Sequence, residues 1–139
     1  MLVAHPDPDG RAALVHPLLG DETRVGLVAA SGNSAEIIAA VASLRPAVVL
    51  VDERLATAAR LASLTRASRV ILLTGTEEVR ALATMLLGPA HGCLVYGNFE
   101  PADLRDAVRA VADGLAWLSP VAAAAAAATM RAGALARLS

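Results

Sequence analysis

Five short apolar runs in this chain each end on residues that could do chemistry. The run Ala-Val-Val-Leu-Val at 47–51 stops on a carboxylate, Asp52, with Arg54 two residues later. The other runs end on His5-Pro6-Asp7-Pro8-Asp9, Ser31-Gly32-Asn33-Ser34, Thr74-Gly75-Thr76 and Tyr96-Gly97-Asn98. Asp52 is either a reacting or ligand-holding carboxylate, or the residue that starts the next helical turn, a common task for aspartate. The His5–Asp9 stretch invites a metal reading, but Pro-Asp-Pro-Asp-Gly is also ordinary turn and cap chemistry, which is the preferred reading. Ser31 to Ser34 could present free amides to an anion. With a single glycine it reads better as a plain helix cap. Cys93 lies inside an apolar run and is expected in the core. His16 and His91 stand alone and suggest no metal site.

Short, β-branched or leucine-rich runs at 1–5, 24–30, 47–52, 69–74 and 92–96 predict strands buried on both faces. Helical patterns lie between them. Asn33 followed by Glu36 resembles a capping box, with Ile37, Ile38, Val41 and Leu44 as the apolar face and Pro46 as the stop. A shorter helix is expected over 55–64, and another marked by Val79, Leu82 and Leu86. Pro101 opens a helix with Leu104, Val108 and Val111 buried and Gly114 at its end. The first helix, about 9–19, contains Pro17, which removes a hydrogen bond and should kink or shorten it.

Alternation of this kind predicts an α/β fold: a doubly wound, five-stranded parallel sheet of the flavodoxin type, strand order 2-1-3-4-5. In such sheets the reacting groups sit beyond the carboxyl ends of the strands, where the polar residues above are found. The alanine run at 122–128 has high helix propensity and predicts a C-terminal linker helix.

Composition narrows the function. The 139 residues suit one domain, and no apolar run is long enough to span a bilayer. A net charge of -1 gives no electrostatic footprint for direct nucleic-acid contact. One cysteine and no visible signal peptide are compatible with a cytoplasmic location. There is no nucleophile elbow and no phosphate-cradling glycine loop, so an ordinary enzyme is not expected.

From residue 45 to 120 the order of features resembles the receiver domain of NarL/LuxR-type response regulators, a CheY-like fold. Leu44-Arg-Pro-Ala-Val-Val-Leu-Val-Asp52 resembles the family's third strand and phosphoacceptor. Val70-Ile-Leu-Leu-Thr74 resembles the fourth strand, ending on the switch threonine. Gly92-Cys-Leu-Val-Tyr96 and Glu100-Pro-Ala-Asp-Leu104 resemble the fifth strand and the start of its helix. Ala112-Asp-Gly-Leu-Ala-Trp-Leu-Ser-Pro120 resembles the stretch leading towards a helix-turn-helix.

The resemblance also implies what has been lost. His5 and Pro6 stand at the positions of the family's acidic pair, which holds Mg²⁺. Tyr96 stands where the family has lysine, and the chain has twelve arginines and no lysine at all. Phosphoryl transfer to a carboxylate needs cations to neutralise the charge that gathers. Without them Asp52 reads as a vestigial phosphoacceptor, with Mg²⁺ and other cofactors not expected. Arg54, Asp7 and Asp9 are the residues that could compensate, the aspartates by rebuilding a partial metal site.

The implied protein is a non-catalytic receiver domain over 1–118, with 119–139 as a linker helix leading to a DNA-binding domain outside this chain. Homodimerisation is expected through helices one and five, or four and five, with Asp103, Arg105, Asp106 and Arg109 able to pair across a symmetric interface. The alternative readings are a small-molecule sensor using the crevice around His5, Asp52, Thr74 and Tyr96, or a phosphorylatable receiver.

Overall fold

A computed structural model describes residues 1–19 and 29–138. Strands β1 (Leu2–Ala4), β2 (Ala29–Ser31), β3 (Val48–Asp52), β4 (Arg69–Thr74), β5 (Gly92–Val95) and β6 (Trp117–Leu118) form one parallel sheet in the order β2-β1-β3-β4-β5-β6. Five strands in the order 2-1-3-4-5 were expected, and that arrangement is present. The sixth is an addition. It is only two residues long, too short to give a strand pattern, and it exists because Gly92 lets it approach: a Cβ there would sit 2.9 Å from the Trp117 carbonyl oxygen. Residues 24–28 of the expected second strand lie outside the described residues.

Helices α1 (Pro8–Val15) and α5 (Pro101–Ala112) cover one face of the sheet, and α2 (Ser34–Leu44), α3 (Ala58–Ala67) and α4 (Val79–Leu86) the other. A sixth helix, α6 (Pro120–Leu138), packs along α4. Because strand side chains alternate, Val48 and Leu50 of β3 enter the core under α1 and α5. Val49 and Val51 enter the core under α2 and α3. This two-sided burial is why the strands read as unbroken apolar runs. Ala122 and Ala125 of α6 are buried with Leu82, Cys93 and Val95. Small side chains there let α6 lie close to α4 and β5.

The helix ends refine the expectations. Asn33 caps α2 by accepting from the amides of Ala35 and Glu36 at 2.9 and 3.2 Å. Glu36 does not complete a capping box, since its carboxylate accepts from the Ser31 hydroxyl at 2.8 Å. Ile37 and Val41 are buried as expected. Ile38 and Leu44 are exposed, since the buried stripe of α2 is narrower than predicted. Arg45, at φ 45, turns the chain out of α2 ahead of Pro46. Pro17 shortens α1, which continues as a 3-10 turn, His16–Leu18. The expected helix at 55–64 starts later, because Asp52 caps a separate 3-10 turn, Glu53–Leu55. Among the described residues no helix is long and apolar enough to cross a membrane.

Candidate functional site

The parallel register brings the ends of β1, β3, β4 and β5 together, and with them His5, Asp52, Thr74 and Tyr96. Asp52 closes β3 with only 1 % of its surface exposed, and Thr74 and His5 are likewise buried. A buried carboxylate must be fully hydrogen-bonded to remain ionised. Arg54 and Tyr96 provide those bonds. The Arg54 amide and Nε both donate to Asp52 Oδ1 at 2.9 Å. The Tyr96 hydroxyl donates to Oδ2 at 2.7 Å, and Arg54 Nη2 to the same oxygen at 3.3 Å. A carboxylate offers about four acceptor sites. Here all are engaged by donors of the chain itself.

His5 completes the enclosure. Its Nδ1 accepts the Asp7 amide at 3.0 Å, so the ring proton belongs on Nε2, which lies 3.5 Å from Asp52 Oδ2. Two glycines position this histidine. A Cβ at Gly10 would overlap the imidazole, and one at Gly32 would overlap Arg11 Nη1, which donates to the His5 carbonyl at 2.9 Å.

Asp7 joins the cluster through Arg54. Its carboxylate accepts from Arg54 Nη1 at 3.3 Å. Both partners of that outer pair are more than half exposed, so it contributes little by itself. Asp9 is exposed in the first turn of α1. Pro6 has no side-chain ligand. Thr74 Oγ1 accepts the Thr76 amide at 3.1 Å and so shapes its own turn. Glu53 Oε1 accepts the Gly75 amide at 3.4 Å, tying the β3 and β4 ends together.

The electrostatics follow from these contacts. Burial pushes the Asp52 carboxyl up, but the hydrogen bonds from Arg54 and Tyr96 outweigh it and hold the group below the usual carboxylate range. Burial, then donation to Asp52, holds the Tyr96 phenol well above its ordinary value. Asp52 is therefore an anion and Tyr96 a neutral donor across the physiological range.

A divalent cation at this place would need open carboxylate oxygens. In this arrangement those of Asp52 are taken by Arg54 and Tyr96, and β1 is followed by His5 and Pro6. Sequence reasoning named Arg54 and Tyr96 but not their joint bond to Asp52. The Arg54 side chain folds back two residues onto its neighbour, which no spacing rule announces.

The fold is that of response-regulator receiver domains. The isolated REC domain of RcsB from Salmonella enterica serovar Typhimurium, with the phosphomimetic BeF3-, is similar at a TM-score of 0.74 and 18 % identity, covering 89 % of this chain and 95 % of that one. A LuxR-family two-component response regulator from Aurantimonas sp. SI85-9A1 gives 0.78 and 19 %, covering 93 % and 95 %. A longer Salmonella typhimurium RcsB chain gives 0.77 and 18 %, covering 89 % of this chain and 64 % of that one. No protein-family profile and no curated protein matches the sequence.

Proposed function

We propose that this chain is a regulatory receiver domain of a response regulator in which an internal Arg54–Asp52–Tyr96 cluster replaces phosphoryl chemistry. The observation that carries the reading is the saturated carboxylate of Asp52: buried, with its acceptor sites already taken. For Asp52 to attack a phosphoryl group, the bonds from Tyr96 and Arg54 would have to open first. No magnesium ion or lysine ammonium would then neutralise the gathering charge. The domain thus acts as a non-enzymatic, cytoplasmic module, without bound Mg²⁺.

Its output is contact with a second copy and with an attached DNA-binding domain towards which α6 leads. Support comes from the relatives, which include two RcsB dimers bound to two parallel DNAs. The α1–α5 face is favoured for the homodimer. The alternative face, around α4 and β5, is covered by β6 and α6: Ser119 donates to the Cys93 carbonyl at 3.0 Å and its hydroxyl accepts the Val95 amide at 3.0 Å. The pairing expected of α5 across that dimer is largely used at home. Arg105 donates to the Pro17 carbonyl, Asp106 accepts from Arg109, and Asp103 accepts the Glu100 amide.

A small-molecule effector at the strand ends would have to displace the Tyr96 or Arg54 bond, which makes it the weaker reading. Incubation with acetyl phosphate and Mg²⁺, followed by intact-mass measurement, tests the proposal. The expected result is an unchanged mass. A stoichiometric phosphoryl gain on Asp52 would overturn it.

A further inference from the structure

At the opposite end of the sheet, where β3, β4 and β5 begin, an open groove of about 340 Å³ is lined by Ala47, Thr65, Arg66, Ser68, Arg69 and His91, with Ala67 between them. Every ionisable group in that lining is basic. Backbone bonds fix its walls: the Arg69 amide donates to the Ala47 carbonyl at 3.1 Å, and the His91 amide to the Val70 carbonyl at 2.8 Å. The buried Ser68 hydroxyl donates to the Pro46 carbonyl at 2.6 Å. His91 Nδ1 accepts the Val70 amide at 3.2 Å, which assigns the ring proton to Nε2, an open donor. Arg66 is exposed and forms no ion pair among the described residues.

We propose that this groove binds a small phosphate-bearing anion, held by the guanidinium group of Arg66 and by His91 Nε2–H. Guanidinium forks suit phosphate oxygens, since their parallel donors bind two at once. The groove's volume lies at the lower end of the range for small-ligand sites and suits a mononucleotide-sized molecule.

The competing explanation is that the arginines merely complement helix C-termini. Arg69 does so: its Nη1 donates to the Val111 and Ala112 carbonyls at the end of α5. A helix end carries about half a negative charge. Two such ends, of α3 and α5, offset about one of the two formal positive charges of Arg66 and Arg69. The groove stays cationic, and Arg66, which forms no ion pair among the described residues, remains for a ligand. The site is remote from Asp52 along the strands, so this inference stands or falls independently of the proposed function.

Calorimetric titration of the whole chain at low salt, with inorganic pyrophosphate and with adenosine monophosphate, provides the test. Saturable one-to-one binding of either is expected, weakened about tenfold by Arg66→Ala and partly restored by Arg66→Lys. The thermal midpoint of Arg66→Ala should stay near that of the parent chain. Arg80→Ala, which removes an exposed arginine outside the groove, should leave affinity unchanged. Four results would each overturn the proposal: no binding of either probe, binding indifferent to Arg66→Ala, equal weakening by Arg80→Ala, or equally tight binding of succinate.

Discussion

The two ends of the same parallel sheet treat charge in opposite ways. At the carboxyl end, Asp52 is buried and each of its acceptor sites is met by Arg54 or Tyr96, with Asp7 and His5 closing around them. At the amino end, Arg66, Arg69 and His91 line a groove with no carboxylate among them. Strand geometry is common to both ends, so it does not explain the contrast. Loop chemistry does. The carboxyl end follows the loops that carry Asp7, Arg54 and Tyr96, which fold inward onto one anion. The amino end receives the helix termini, whose carbonyls draw basic side chains and leave them facing water.

If the carboxyl end is a structural lock, breaking it should cost stability. The largest effect is expected from Tyr96→Phe, which leaves a buried carboxylate oxygen short of its closest donor. A loss of about 1.5–3 kcal/mol is expected, measured by urea unfolding. A value near zero would mean that water replaces the hydroxyl and that the pocket is open.

The same bond predicts a pH signature. The folded Asp52 carboxyl is held below its unfolded value, so its contribution is complete above pH ~4. It is lost as pH falls through the folded value. The folded Tyr96 phenol is held above its unfolded value, so its contribution is complete below pH ~10. It is lost as pH rises from there. Chemical denaturation across pH should show Tyr96→Phe weakening the alkaline decline, part of which remains because burial also pushes the Cys93 thiol up to about 11, and flattening the acid one.

A smaller effect is expected from Gly10→Ala. Moving the His5 ring costs about 1–3 kcal/mol, against a helix-propensity gain of about 1 kcal/mol. A net loss near 1 kcal/mol, read from the urea midpoint, would place His5 within the lock. A stabilised variant would remove it. The smallest effect is expected at the other end: Arg66→Ala should change stability by less than about 0.5 kcal/mol, because no partner depends on that side chain. A larger loss would make Arg66 a cap rather than a ligand group.

How much of this could be read in the sequence varied with the range of the interaction. β4 appears with the expected bounds, and β3 and β5 within a residue, because burial on both faces leaves an unbroken apolar run. The Asn33 cap and the Leu104, Val108 and Val111 stripe were legible for the same local reason. The exposure of Ile38 and Leu44 was not, since it depends on how far α2 leans over its neighbours. β6 was invisible, because two residues paired through Gly92 make no pattern. The alanine run declared a helix but not its seat on α4, which required Leu82 of α4 and Cys93 and Val95 of β5 to be gathered against it.

By itself, the sequence determined the alternating fold and the list of polar residues ending its strands, because strand and helix periods and the limits on burying polar groups act over a few neighbours. It also set the absence of lysine and placed histidine and proline, His5 and Pro6, directly after β1. Only the tertiary structure decided what became of Asp52. Tyr96 lies forty-four positions away and Arg54 only two, yet both bonds depend on the same fold. The parallel register brings β5 beside β4 and so carries Tyr96 over the carboxylate. Burial then makes each of those bonds strong enough to hold the charge in place.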